Sequence, residues 1–280
     1  MVDIVLATLL DEQQTPLLRS FLERDVPGNL FALSVLQKWG ILGQFDAEWW
    51  GVFDASDQIV SACYAGVKVA GEGFGLVVPA GDPDANRVIG LALAARGGVR
   101  WVIGDRLASD GLWAGLGNPT PRLRSEQILF EATSLTSGST IDVRKACAPD
   151  FEWLCTAASA MVEEDLSLPW AGQDPAVFKA RIQAAIKDGA EYVGSLSNRL
   201  VYRVERGTRS TYGAQIGGIW VEPDVRGQGL GRAGTRAVCQ LLLQNAPRVT
   251  MHVRADNMTA IRCYESIGFK AIRAFRLLVR

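Results

Sequence analysis

The chain has 280 residues, of which 48% are hydrophobic and 21% charged; that is enough apolar material for one large domain or two of ordinary size and is unlike a disordered chain. Its net charge of -1 offers nucleic acid no electrostatic hold. Five cysteines (Cys63, Cys147, Cys155, Cys239 and Cys263), odd in number and without a C-x-x-C pair, argue against a disulfide framework or a zinc site and for reduced thiols in a cytoplasm. There is no signal-peptide pattern and no apolar run long enough for a bilayer, so the expectation is a cytoplasmic protein without membrane or metal.

In chain order, Thr15 to Arg24 reads as a helix with Thr15 as cap and Pro16 at its first position, and Asn29 to Trp39 as a second. Trp49 to Phe53, Gln58 to Tyr64 and Phe74 to Val78 read as strands between turn residues. Pro83 to Ala95 is a helix, Val99 to Gly104 a strand, Ser109 to Leu116 a helix and Arg124 to Glu131 a strand. Trp39, Trp49 and Trp50 read as core aromatics, with a share in an acceptor site as the alternative. Ser134 to Thr140, Ser-Leu-Thr-Ser-Gly-Ser-Thr, is the best linker candidate.

The second half repeats this order loosely. Ile141 to Arg144 is a short strand; Asp150 to Met161 and Asp174 to Lys187 are helices, the latter begun by Asp174-Pro175. Glu191 to Ser195, Leu200 to Glu205 and Ala214 to Glu222 form a meander. After Pro223 comes Arg226-Gly227-Gln228-Gly229-Leu230-Gly231-Arg232, then a helix over Ala233 to Gln244. Arg248 to Arg254 is a strand, Met258 to Ser266 a helix and Phe269 to Val279 a last strand. Both halves thus read as α/β (α+β) units.

Glycines at alternate positions let backbone N–H groups approach an anion, and the helix that follows adds positive potential. With Arg226 and Arg232 alongside, the loop is a phosphate or pyrophosphate cradle. Gly229 to Gly234 also fits G-x-G-x-x-G, with Asp256 where a ribose-binding acid would stand. Against a dinucleotide fold stand the intervening Glu222 to Arg226 and the antiparallel-looking meander before it. A P-loop fails because no Gly-Lys-Ser/Thr follows.

Val221-Glu222-Pro223-Asp224-Val225-Arg226-Gly227-Gln228-Gly229-Leu230-Gly231 resembles the coenzyme A pyrophosphate loop of GNAT acyltransferases. Asn257-Met258-Thr259-Ala260-Ile261-Arg262-Cys263-Tyr264-Glu265-Ser266-Ile267-Gly268-Phe269 is similar to the family's second motif, in the family's order and spacing. Val253-Arg254-Ala255-Asp256-Asn257 echoes the ribosomal-protein alanine N-acetyltransferases. The clear resemblance covers residues 141 to 280; by layout alone, the first half is similar to the degenerate half of tandem-GNAT proteins. It implies two tandem GNAT-like domains, 1–135 degenerate and 136–280 catalytic, each a mixed, mostly antiparallel sheet flanked by helices. It also implies acetyl-CoA as co-substrate, without a metal, and an amine acceptor that is a small molecule or a protein amine. Oligomeric state stays open, and a non-catalytic acetyl-CoA-binding sensor or scaffold is the alternative function.

The resemblance places Ile219, Trp220 and Val221 along the acetyl-pantetheine arm, with the Val221 N–H polarising the thioester. Gly227, Gln228, Gly229, Leu230, Gly231 and Arg232 hold the pyrophosphate, with Arg226 beside them and Asn257 on the pantetheine. Tyr264 is the candidate general acid for the departing thiolate, since a phenol with a pKa of about 10 carries a proton at neutral pH; packing on its helix is the alternative. Cys263 is expected to point elsewhere and not to act as a nucleophile. His252 stands where the alanine N-acetyltransferases carry a glutamate base; it takes the amine proton or is simply a hydrogen-bonded strand residue. Glu163 and Glu164, with Asp165, end a helix where the family forms its acceptor wall; they bind a cationic amine or form a solvated helix end. Trp170 and Tyr192 are further candidates for shaping that cleft.

Overall fold

The computed structural model describes residues 6–43, 46–66, 68–69, 73–166 and 175–280. The first elements are β1 (Thr8–Leu9), α1 (Thr15–Glu23), α2 (Leu30–Trp39), β2 (Glu48–Phe53), β3 (Ile59–Ala65), β4 (Lys68–Val69), β5 (Gly73–Gly81), α3 (Pro83–Ala95), β6 (Val99–Asp105), α4 (Arg106–Gly115) and β7 (Leu123–Ala132). Then follow β8 (Val143–Lys145), α5 (Phe151–Leu166), α6 (Pro175–Lys187), β9 (Glu191–Leu196), β10 (Arg199–Ser210), β11 (Gly213–Val221), α7 (Leu230–Leu243), β12 (Val249–Arg254), α8 (Met258–Ile267) and β13 (Lys270–Val279). This is the expected mixed α/β architecture.

The chain forms two compact units, Met1–Leu129 with His252–Asp256 and Ala271–Arg280, and Phe130–Met251 with Asn257–Lys270. The division falls within β7, not at 135/136, and most of the last strand counts with the first unit. The ladder explains this: Phe275 pairs with Asp105 and Val279 with Trp101 in antiparallel register. Leu278 enters a core with Val77, Ile89 and Val102. A strand goes where its hydrogen bonds and apolar face are matched, whatever its place in the sequence.

In the first unit β1, β2, β3 and β5 pair antiparallel in that order. β5 and β6 are parallel, joined through α3 as such a crossover requires. Thr15 does not cap α1. Asp11 supplies a capping box to a short 3-10 turn, Glu12–Gln14, and Thr15 already lies in the helix. Trp49 and Trp50 are buried as core aromatics, while Trp39 is exposed.

In the second unit β8, β9, β10 and β11 form the antiparallel meander. Leu154 and Ala158 of α5 pack with Phe178 and Ile182 of α6 against Val193 of β9. Each large side chain buried here contributes about 1.5–3 kcal/mol. Asp174 and Trp170 lie outside the described residues. The linker candidate is stapled to this unit: Thr136 donates from N to Ile267 O (2.8 Å) and from Oγ1 to Ser266 O (2.7 Å). Buried Arg236 donates to the carbonyls of Thr136 and Ser139. Polar composition suggests a linker, but these donors find fixed partners.

Candidate functional site

β11 carries the site because its regular pairing is interrupted. Arg203 faces Trp220 and Glu205 faces Gly217, so Gly218 and Ile219 together stand opposite Val204. This is a bulge, and Gly218 takes it up at φ +61. On the other side, the parallel ladder to β12 is limited to Ala214 with Val249 and Gln215 with Thr250. Beyond these pairs the backbone of Ile219, Trp220 and Val221 turns to a cavity of about 780 Å³.

The loop to α7 begins with a 3-10 turn, Pro223–Val225. Arg199 holds its Asp224 through Nη2 to Oδ1 at 2.9 Å, and this pairing lowers the Asp224 pKa. Trp153 of α5 donates from Nε1 to Glu222 Oε1 at 2.7 Å. Gly227 and Gly229 both adopt positive φ, +80 and +79. Gly229 is the N-cap of α7 and provides no side-chain cap, and no acidic residue stands in the first turn. The first intrahelical bond, Ala233 N to Gly229 O, leaves the preceding N–H groups without a helical partner.

All eleven residues assigned to the cofactor line this cavity: Ile219, Trp220, Val221, Arg226, Gly227, Gln228, Gly229, Leu230, Gly231, Arg232 and Asn257. Tyr264 and Glu164 line it too. Arg226 is held three ways. Its Nε donates to Val221 O at 2.9 Å, its guanidinium lies 4.4 Å from the Trp220 ring centre, and Nη1 pairs with Glu164 Oε2 at 3.1 Å. Asn257 caps α8, its Oδ1 accepting from Ala260 N at 3.0 Å. Tyr264 meets Phe269 edge-on, centroids 6.2 Å apart.

Other expected site residues fall elsewhere. Glu163 is exposed, and Tyr192 is buried in β9. His252 counts with the first compact unit, its ring 4.7 Å from that of Phe275. Burial lowers its pKa to about 4, so it is neutral at pH 7 and a weaker proton acceptor than free imidazole. Cys263, expected to point away, lines the cavity beside Tyr264. Burial raises its pKa against the pull of Arg232 and Arg236, so it stays a thiol at neutral pH. Sequence reasoning also missed Met161, Thr259, Ala260, Arg262 and Ser266 on the wall. Counting three and four residues on from Asn257 along α8 would have found Ala260, and again from there Cys263 and Tyr264.

An anion-binding loop beside a bulged strand, with a phenol on the helix beyond, defines a class. Residues 148–269, in the C-terminal half, match the model of the Acetyltransferase (GNAT) family. Over 235 residues, 74% of this chain and 78% of the relative, it is 27% identical to a mycothiol acetyltransferase of Thermobispora bispora. It is similar in structure to a GCN5-related N-acetyltransferase from Sphaerobacter thermophilus (TM-score 0.62, 15% identity, 100% of this chain and 96% of that one). It is likewise similar to a tandem GNAT protein from the clavulanic acid biosynthesis pathway (TM-score 0.55, 12% identity, 99% and 98%). At such identities the structural likenesses establish the fold alone, and the family match supports acetyl transfer in general terms.

The family's acetyl-CoA fits these residues. A Cβ added at Gly227 would meet nothing within 4 Å among the described residues, so a ligand can approach the backbone there. Among the described residues, Arg226, Arg232 and Arg262 put three cations on the wall for a pyrophosphate, against the one carboxylate of Glu164.

Proposed function

We propose that the second half is an acetyl-CoA-dependent N-acetyltransferase moving an acetyl group to a primary amine by direct attack in a ternary complex. The observation that carries this is one cavity joining the uncapped N-terminus of α7, the bulged end of β11 and Tyr264. Gly227 to Arg232 hold the pyrophosphate by main-chain N–H groups, and Arg226 and Arg232 add charge. The Val221 N–H polarises the thioester carbonyl. Tyr264 donates its proton to the departing thiolate. Glu164 draws the cationic amine to the cavity wall, and the amine proton leaves through Glu164 or water. Cys263 and Cys239 are not nucleophiles in this scheme, both thiols being raised in pKa by burial. His252 packs the first unit. The first half is a GNAT-like domain that has lost its coenzyme A loop.

The test is release of free coenzyme A thiol from acetyl-CoA across a panel of amines, with mycothiol-type acceptors included because of the relative's activity. Amine-dependent release supports the proposal. Tight coenzyme A binding without release from any amine favours a sensor or scaffold.

A further inference from the structure

A second cavity, of about 140 Å³, is lined entirely by residues of the first unit. It lies where β5 and β6 end. Their parallel ladder stops at Val77 with Val102, while the strands run on to Gly81 and Asp105. The carboxyl ends of neighbouring parallel strands are where open α/β sheets hold their ligands. Phe21 of α1, with Arg24 and Asp25 just beyond that helix, forms one wall, and Arg273 and Phe275 of β13 form another. In chain order this is the counterpart of the larger cavity of the second half. α1 answers to α5, which brings Met161 and Glu164 to that cavity, and Pro79, Ala80 and Gly81 answer to Ile219, Trp220 and Val221.

Among the described residues, Arg24, Asp25, Asp105 and Arg273 are the charged side chains on its wall. The last three are committed to one another. Arg273 Nη1 stands 2.8 Å from Asp25 Oδ2 and 3.6 Å from Asp105 Oδ2. Backbone takes the other oxygens: Gly28 N donates to Asp25 Oδ1 at 3.3 Å, and Leu107 N donates to Asp105 Oδ1 at 2.9 Å. Arg24 differs. Its guanidinium lies 5.7 Å from the Phe21 ring centre and has no ion pair or hydrogen bond among the described residues. The uncommitted charge on the wall is therefore single and positive. Phe21 and Phe275, both buried, put apolar surface beside it. A guanidinium fork fits a carboxylate through two parallel hydrogen bonds. Asp25 and Asp105 on the same wall repel a dianion more than a monoanion. At about 30 Å³ per water the space equals roughly five waters, the size of a chain of about three or four carbons.

We propose that this cavity is a binding site for a short aliphatic monocarboxylate, with its carboxylate on Arg24 and its alkyl part between Phe21 and Phe275. Coenzyme A is far too large for it. The site stands whether or not the second half transfers acetyl groups.

The chain itself supplies the probe. His252 is its one histidine, and the imidazole lies 4.7 Å from the ring of Phe275, so the NMR signal of His252 in untagged protein reads occupation of the cavity. The protein is titrated with sodium propionate in excess coenzyme A, with ionic strength held constant by sodium chloride. Propionamide and inorganic phosphate are titrated in the same way. Propionate is expected to shift the His252 signal saturably, with a Kd of about 1 mM. Propionamide, which lacks the charge, and phosphate, which lacks the alkyl part, are expected to leave it in place. Arg24→Gln changes an exposed side chain and is expected to weaken propionate by about tenfold or more, with Tm unchanged. The proposal is overturned by the absence of a saturable shift, by an equal response to propionamide or phosphate, or by an Arg24→Gln variant that binds propionate as well as the wild type.

Discussion

The two halves each run a strand into a helix, and the two junctions treat the helix N-terminus differently. β5 ends at Gly81, and α3 starts at Pro83 with Asp82 as N-cap, its Oδ1 accepting from Ala85 N at 2.9 Å. Asn86, fully buried, donates from Nδ2 to the carbonyls of Ala80 (3.1 Å) and Asp82 (3.0 Å). Asp84 adds negative charge in the first turn. That terminus is neutralised by its own sequence. α7 starts from Gly229 with no side-chain cap and no first-turn acid. A capped terminus stabilises its helix, whereas an uncapped one keeps its donors for a ligand. α4, the helix after β6, has no tyrosine, while α8, the helix after β12, has Tyr264. The half with the open terminus is also the half whose helix brings a phenol to the cavity, the proton donor proposed above.

Removing the proposed proton donor should have the largest effect. Tyr264→Phe keeps the ring against Phe269 but removes the hydroxyl. We expect kcat to fall by roughly 10²- to 10⁴-fold, the usual worth of a positioned acid, with coenzyme A affinity little changed. An unaltered rate at every pH would refute the assignment. Next is Gly229→Asp, which gives α7 the cap that α3 has. Asp tolerates the left-handed backbone better than most residues. Its carboxylate would take the N–H groups and repel a pyrophosphate, raising the Kd for coenzyme A by about thirtyfold, or about 2 kcal/mol. Calorimetry on the purified variant reads this directly, and an unchanged Kd would show that the pyrophosphate is held elsewhere.

The third prediction concerns His252, which with Phe275 shows how late segments of the chain serve the first unit. Its folded pKa of about 4 lies below the ordinary 6.5, so the unfolded chain binds the proton more tightly. The stability this gives is complete above pH 6.5, drains away as pH falls toward 4, and is gone below. Asp150, held by Arg144 at about 2 instead of 3.8, adds a further loss at lower pH. His252→Asn should flatten denaturant-derived stability between pH 6.5 and 4 and leave the pH–rate profile of acetyl transfer alone. A changed rate profile would restore the histidine as a base.

Much of this was legible in the sequence because it is local. Alternating glycines, the proline ahead of them and the Asn-to-Tyr spacing are short-range patterns, and all of the residues they marked for the cofactor line one cavity. What was missed is non-local. The partner of β13 is β6, chosen by a ladder across some 170 residues of chain. Gly217-Gly218 inside a strand was a readable sign of a bulge, but its register depends on β10. α5 runs on to Leu166, past the expected end at Met161, and so carries Glu164 to the cavity. Nothing in Arg203 or Glu191 alone marks them as buried, since each is tolerated there only because the other is present on the neighbouring strand.

The smallest effect should come from the reverse of the glycine exchange. Asp82→Ala strips the cap from α3 and leaves the Ala85 N–H without its acceptor, which should cost the first unit about 1 kcal/mol in denaturant unfolding. It should not create a coenzyme A site. Pro83 at the first helical position has no N–H to offer, Asp84 still repels an anion, and the Asn86 side chain still holds the strand end against the helix. An open terminus binds phosphate only when glycines ahead of it let the backbone turn several N–H groups together, as Gly227 and Gly229 do at positive φ. If Asp82→Ala alone gave measurable coenzyme A binding to the first unit, the cap by itself would be what separates the halves, and the glycine loop would matter less than its spacing suggests.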